Sequence, residues 1–125
     1  MLVEQNGTPL RVGRLADLPP GEALRVDQVT PAVAVFHTED GELYAIDDTC
    51  THQDASLADG WLEGCEVECP LHASRFDLRT GAVDAPPAKR PIRTHQVHVE
   101  DDVVYVTMSS DSPNLPPGVL PGATA

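Results

Sequence analysis

Two short blocks of metal-binding residue types stand out in the sequence. The first reads Cys50-x-His52 and the second, after sixteen intervening residues, reads Cys69-x-x-His72. Grouped thiols and imidazoles at such spacings are the usual signature of a metal site, because thiolates and neutral imidazoles are good ligands for transition metals. The pattern predicts that these four side chains bind one metal centre.

The way in which the two residue types are mixed bears on the identity of the metal. Zinc sites commonly use Cys-x2-Cys and His-x3-His pairs, whereas each block here supplies one Cys and one His. A two-iron cluster with two thiolates on one iron and two imidazoles on the other needs one Cys and one His from each of two loops. The mixture favours the two-iron cluster, and a structural zinc remains the alternative.

The two blocks resemble the Rieske motif, and their spacing is similar to that of the small ferredoxins that serve ring-hydroxylating dioxygenases. The similarity extends over roughly residues 11 to 108 and includes the stretches 54–57, 60–62 and 75–81. The resemblance implies one Rieske-type 2Fe-2S cluster, with the thiolates on one iron and the imidazoles on the other. It further implies that the His-bound iron takes the electron and faces outward. These ligands would be Cys50, His52, Cys69 and His72.

The resemblance also implies an all-β Rieske fold. Its base would be a small antiparallel β-sandwich or barrel, and its cluster-binding part, about residues 47–88, would contain two ligand loops and a proline loop. Pro86 and Pro87 stand where the proline loop would cover the cluster, although an ordinary turn is the alternative. Respiratory Rieske proteins join their ligand loops by a disulfide at the positions of Ala55 and Leu71. This chain lacks both cysteines, so packing and hydrogen bonds must hold the loops.

Ser74 stands where respiratory Rieske proteins have a Ser that hydrogen-bonds the cluster. A donor at this position is expected to raise the reduction potential modestly, because it stabilises added negative charge. The alternative is a small loop residue that points to water.

The docking surface for partner proteins is expected at His52, Gln53, His72 and Pro86.

The function implied by the resemblance is one-electron transfer from an NAD(P)H-dependent ferredoxin reductase to a terminal Rieske non-haem iron oxygenase. The oxygenase would dihydroxylate aromatic rings, and this chain would turn over no organic substrate. Within the same fold, a nitrite-reductase small subunit or a Rieske protein linked to iron-sulfur assembly is an alternative. From another class, the alternative is a structural zinc module for protein interaction.

Length and cysteine usage agree with a small electron carrier. The 125 residues allow one domain, predicted over 1–108, and leave no room for a second catalytic domain. Residues 109–125 are rich in Pro, Gly and Ser and are expected to form a flexible or surface-draped tail. Cys65 lies four residues before Cys69 in a predicted strand, roughly 13 Å away when extended. It is therefore interpreted as a structural thiol, and no disulfide framework is implied.

The chain is strongly acidic, with 20 Asp and Glu, 8 Lys and Arg, and a formal net charge of −12. This balance argues against nucleic acid as a partner, because phosphate binding needs clustered Lys and Arg. The acidity serves either to steer the protein toward basic docking faces or only to keep it soluble. Without a signal peptide or a membrane-spanning stretch, the protein is expected in the cytoplasm. It is also expected to be a monomer.

Alternating and apolar runs predict a succession of short strands and no long helix. An Asp40-Gly41 turn and a turn at 100–102 each predict a hairpin. His37, His95 and His98 fall in strand patterns and are expected to be surface or hydrogen-bonded sheet residues. The predicted strands are 10–14, 23–29, 32–37, 43–46, 65–69, 76–78, 94–99 and 103–108, with a single turn at 15–18.

Overall fold

A computed structural model describes residues 9–52, 54–71 and 73–116. Gln53 and His72, which were both predicted to act at the site, lie outside the described residues, as do 1–8 and 117–125. Within the described ranges, no helix is long and apolar enough to cross a membrane.

The described chain consists of short strands and two single 3-10 turns. The turns are Leu15–Asp17 and Leu57–Asp59. The strands are β1 (Leu10–Arg14), β2 (Ala23–Val26), β3 (Val33–His37), β4 (Leu43–Asp47), β5 (Trp61–Glu63), β6 (Glu66–Glu68), β7 (Arg75–Asp77), β8 (Val83–Ala85), β9 (Thr94–Glu100) and β10 (Val103–Thr107).

The strands form two antiparallel sheets. Six of them make a near-closed, barrel-like sheet in the order β1-β10-β9-β4-β3-β2. The other four make a smaller sheet in the order β5-β6-β7-β8. The segment between β4 and β9 therefore leaves the barrel, builds the small sheet and returns. The prediction of an all-β fold with an antiparallel base and a second subdomain is confirmed.

Strand β3 is buried on both faces, which explains its uninterrupted apolar sequence. Val33 and Val35 point into the barrel core, whereas Ala34 and Phe36 belong to a second core that is shared with the small sheet. The second core also contains Phe76 and Leu57, both fully buried. Because alternate residues of one strand serve both cores, the small sheet is packed directly on the barrel.

All eight predicted strands are present, and several of them are shorter than predicted. β2 stops at Val26, since the chain turns over 27–32, and β6 begins after a turn in which Gly64 has a φ of +59°. Two strands, β5 and β8, were not predicted from the sequence. Each has only three residues, and β8 runs directly into Pro86, so neither length nor alternation marks a strand.

The β9–β10 hairpin departs from its predicted alternation near the turn. His95 is buried and Val97 is half-buried, as expected for one face, but Val99 is 40% exposed. The reason is that β4 pairs with β9 only at Thr94 and His95, so the far end of β9 extends past β4 and is paired there with β10 alone.

Residues 109–116, which we call the C-terminal strap, lie against the surface of the domain. The Ser109 N–H donates to Nδ1 of His95, and the carbonyl oxygens of Asp111 and Leu115 accept hydrogen bonds from arginine side chains. Leu115 is buried. The described part of the predicted tail is thus surface-draped, while the boundary at 108 stays a prediction.

Candidate metal centre

A buried carboxylate organises the loop that follows β4. This loop carries the predicted ligands Cys50 and His52, and we call it the first ligand loop. Asp48 is 1% exposed, and its Oδ1 accepts hydrogen bonds from Ser56 Oγ and from the Ala58 N–H, both at 2.9 Å. Within the loop, the Cys50 N–H donates to the Ala55 carbonyl at 3.0 Å. The loop is therefore closed by its own hydrogen bonds, which fix the direction of Cys50.

The second ligand loop connects β6 to β7. The pairing of Glu68 with Arg75 brings the strand ends together, and the Cys69 N–H donates to the Ser74 carbonyl at 2.7 Å. Ala73 completes the tight turn with a φ of +64°. Both ligand loops are thus short connections whose geometry is set by the strands or hydrogen bonds at their ends.

The two predicted thiol ligands meet in the second core. Cys50 and Cys69 are both fully buried, and burial together with the neighbouring Cys50 raises the pKa of Cys69 to about 11. In each loop, the backbone N–H two residues after the Cys donates to its sulfur. The His52 N–H donates to Cys50 Sγ at 3.5 Å, and the Leu71 N–H donates to the Cys69 thiol. A buried thiolate pair needs a compensating cation. The donor set therefore fits an iron held by two thiolates and supported by amide donors.

His52 lies on the outer side of the same loop. It is half-buried and lines a surface concavity of about 570 Å³, together with Thr51, Pro87, Lys89 and Arg90. The change from fully buried Cys50 to half-exposed His52 takes two residues. The first loop thus has its sulfur inside and its imidazole toward the surface, the order expected for a Rieske centre.

The segment after the two prolines is hydrogen-bonded to both ligand loops. Thr51 Oγ1 donates to the Arg90 carbonyl at 2.8 Å, and Ser74 Oγ accepts from the Ala88 N–H at 2.9 Å. Ser74 is fully buried, so its interpretation as a loop residue pointing to water is wrong. Pro86 is exposed and Pro87 half-buried. Their cluster-covering role stays a prediction.

A buried polar cluster between the end of β4 and the start of β9 was not predicted from the sequence. Asp47 is 1% exposed and accepts hydrogen bonds from Arg93 and from Nε2 of His95, the latter at 2.8 Å. Because the Ser109 N–H occupies Nδ1 of His95, the ring proton is on Nε2. The only signal in the sequence is that two Asp residues stand at the end of an apolar run, shortly before the first predicted ligand.

The remaining candidates have the structural roles expected of them. His95 is a hydrogen-bonded sheet residue, His37 Nδ1 lies 2.7 Å from the Leu18 carbonyl, and His98 stacks on Tyr105 with ring centroids 5.0 Å apart. Cys65 is half-buried in the turn that precedes β6. None of these four side chains joins the buried thiol pair in the described part of the chain.

Residues 8–96 match the family described as the Rieske [2Fe-2S] domain. The chain belongs to this family. It is 45% identical over 100 residues to the 3-phenylpropionate/cinnamic acid dioxygenase ferredoxin subunit of Escherichia coli (strain K12). The aligned residues cover 79% of this chain and 92% of the relative.

Two solved structures extend this likeness to the fold. The ferredoxin of carbazole 1,9a-dioxygenase from Nocardioides aromaticivorans IC177 is 37% identical with a TM-score of 0.75, over 82% of this chain and all of that one (100%). A chain in a complex of reduced oxygenase and oxidized ferredoxin in carbazole 1,9a-dioxygenase is 39% identical with a TM-score of 0.74. The match covers 78% of this chain and 99% of that one. The predictions of a Rieske 2Fe-2S cluster and of a ferredoxin-type chain, rather than an oxygenase subunit, are confirmed.

Proposed function

We propose that this Rieske protein carries single electrons from an NAD(P)H-dependent ferredoxin reductase to a terminal Rieske non-haem iron oxygenase that dihydroxylates aromatic rings. Cys50, His52, Cys69 and His72 would hold the cluster, which supplies a one-electron couple when bound. As proposed, the chain works as a monomer in the cytosol, where NAD(P)H is available to the reductase.

The observation that carries the proposal is the difference in burial within the first ligand loop. Cys50 is fully buried, whereas His52 lines an open concavity. Exposed groups flank this tip: Leu71 is 50% exposed, and Pro86 is also at the surface. A carrier must bring its redox atom close to that of its partner, and this arrangement leaves the imidazole side accessible while the thiolate side is enclosed.

The likeness to known proteins supports the choice of partner. The 45% identical relative is named as a ferredoxin subunit of an aromatic-acid dioxygenase. The 39% identical chain comes from a complex of a ferredoxin with its oxygenase. By this likeness, substrate choice belongs to the oxygenase, and the present chain contributes the docking tip and the electron.

The ligand assignment can be tested with a matched pair of cysteine substitutions. We expect the wild type and Cys65→Ser, purified anaerobically, to contain about two irons and two acid-labile sulfides per chain and to give a reduced-state paramagnetic signal. Cys69→Ser should lose the iron, the acid-labile sulfide and the paramagnetic signal, because it removes a proposed ligand. Cys65→Ser should keep them, because Cys65 is a half-buried thiol with no proposed ligand role. A loaded Cys69→Ser variant would contradict the assignment.

The carrier function is tested with the loaded wild-type chain, the candidate reductase and oxygenase of the same organism, and NAD(P)H. We expect the reductase to reduce the chain and the oxygenase to reoxidise it. A loaded chain that exchanges electrons with neither protein would refute the proposed function while leaving the ligand assignment intact.

A further inference from the structure

We propose that Lys89 and Arg90 form a cationic docking site beside His52, which binds a carboxylate side chain on the docking face of the terminal oxygenase. This inference rests on the proposed function and names the chemistry by which the same tip recognises its partner.

Lys89 and Arg90 differ from most of the basic residues of this acidic chain. Only 8 residues are Lys or Arg, against 20 Asp and Glu. Ion pairs with carboxylates occupy five of the eight, namely Arg14, Arg25, Arg75, Arg79 and Arg93. Lys89 and Arg90 are exposed and pair with no carboxylate in the part of the chain that the structure describes. Their charge is therefore available to an external anion.

The two cations line the concavity that contains His52. Its volume of about 570 Å³ lies in the range of ligand-sized clefts, roughly 300–1,000 Å³, so it accepts a projecting side chain or loop. Among the described lining residues, neither Cys50 nor Cys69 is present, so the concavity is distinct from the place where the thiols meet. A carboxylate seated here would lie beside the proposed imidazole ligand.

Arg90 is held at two points. Its Nη2 donates to the Leu115 carbonyl of the C-terminal strap, and its own carbonyl accepts from Thr51 Oγ1 in the first ligand loop. A guanidinium has five N–H donors, so this anchor leaves others for a carboxylate. Because the side chain is already ordered, binding costs less conformational entropy than it would for a mobile arginine.

The charge at this tip is opposite to that of the neighbouring small sheet. Arg75 lies 3.3 to 3.8 Å from carboxylates of Glu63, Glu66 and Glu68, so three acidic groups surround one basic group on this sheet. A basic tip beside an acidic sheet favours one orientation on a partner, since like charges brought together in other orientations are unfavourable. The acidic surface can therefore steer the approach while the tip fixes the final register.

The test compares two double variants that each remove two positive charges. The tip variant is Lys89→Gln/Arg90→Gln, and the control is Arg11→Gln/Arg14→Gln on β1, where both residues are exposed. The cluster-loaded proteins are titrated separately against the oxygenase and the reductase that exchange electrons with the wild type, and each Kd is measured at low and high ionic strength. Iron content, visible spectrum and midpoint potential are measured on each protein to show that the cluster is unchanged.

We expect the tip variant to bind the oxygenase about 10-fold more weakly at low salt, with a smaller difference at high salt, since exposed charges are screened over roughly 10 Å at 0.1 M. The control should change Kd by less than about twofold. Lys89→Gln alone should weaken binding about threefold. This single variant makes the test independent of the Arg90 anchor.

Equal losses in the tip variant and the control would overturn the proposal, because the effect would then follow net charge. Loss of affinity for the reductase alone would likewise overturn the assignment to the oxygenase. Failure of the proposed function is recognised separately, since the loaded wild type would then exchange electrons with neither protein.

Discussion

Substitution of Ser74 by Ala should change both the reduction potential and the stability. Ser74 is fully buried, and one lone pair of its Oγ accepts the Ala88 N–H at 2.9 Å. Its hydroxyl hydrogen is thus directed away from Ala88, and we expect it to point to the cluster. Ser74→Ala removes this donor and also leaves the Ala88 N–H without its acceptor.

The two effects can be estimated separately. Hydrogen bonds to charged groups contribute about 1.5–3 kcal/mol, and only the part that strengthens on reduction, about 1 kcal/mol, affects the potential. Since a tenfold change in a one-electron equilibrium is about 59 mV and about 1.4 kcal/mol, the midpoint potential should fall by about 40 mV. The stranded buried N–H should lower the free energy of unfolding by about 1–3 kcal/mol.

Thr51→Val is the matched control. It removes the 2.8 Å hydrogen bond from the first ligand loop to Arg90, and it leaves Ser74 and Ala88 unchanged. We expect it to reduce stability without lowering the midpoint potential, measured by voltammetry, while unfolding is followed by circular dichroism. An unchanged midpoint potential in Ser74→Ala would contradict the proposed hydrogen bond from Ser74 to the cluster. Equal falls in both variants would mean that loosened loops, and not a lost donor, set the potential.

Two further predictions concern the folded domain. Side-chain and backbone N–H groups of Arg79 hold the pKa of Asp77 below its usual value, so this carboxylate stabilises the fold above about pH 4 and stops doing so as pH falls through its lowered pKa. Asp77→Asn should therefore cost about 1 kcal/mol in urea unfolding at pH 7 and show a weaker acid dependence; parallel pH profiles would contradict this. Gly81→Ala should cost about 3 kcal/mol or more in thermal unfolding, because its φ is +81° and a Cβ would overlap the Ile92 carbonyl oxygen. Gly41→Ala, with a φ of +90° and open space, should cost only about 1–2 kcal/mol, and equal costs would exclude the steric explanation.

The sequence predicts those parts of the site that depend on local pattern. The Cys and His blocks are readable because ligand chemistry is specific and each pair is separated by only one or two residues. The barrel strands are readable because apolar runs such as β3 must be buried on both faces. By contrast, the fixing of the first loop by Asp48 depends on which buried groups need a hydrogen-bond partner after folding. Composition and periodicity do not contain that information.

The contacts between segments are the other part that the sequence does not predict. Ser74 meets Ala88 and Thr51 meets Arg90 over separations of 14 and 39 residues, and neither pair is marked by any motif. The strap is a similar case: a Pro-rich composition indicates a tail, but its described residues are ordered against Arg90 and Arg93 by backbone carbonyls. Such carbonyls are present in every residue, so no residue type indicates them.

These contacts explain how the ligand loops are held without the disulfide of respiratory Rieske proteins. Each loop is tied by one hydrogen bond to the same short segment, at Ala88 for the second loop and at Arg90 for the first. Because that segment is in turn fixed by Leu115 of the strap and by burial of Ala88, the loops are coupled through a third element. Electron transfer favours a site that moves little between redox states. In our proposal the same hydrogen-bonded segment presents Lys89 to the oxygenase, so the contacts that hold the ligand loops would also hold the docking site in place.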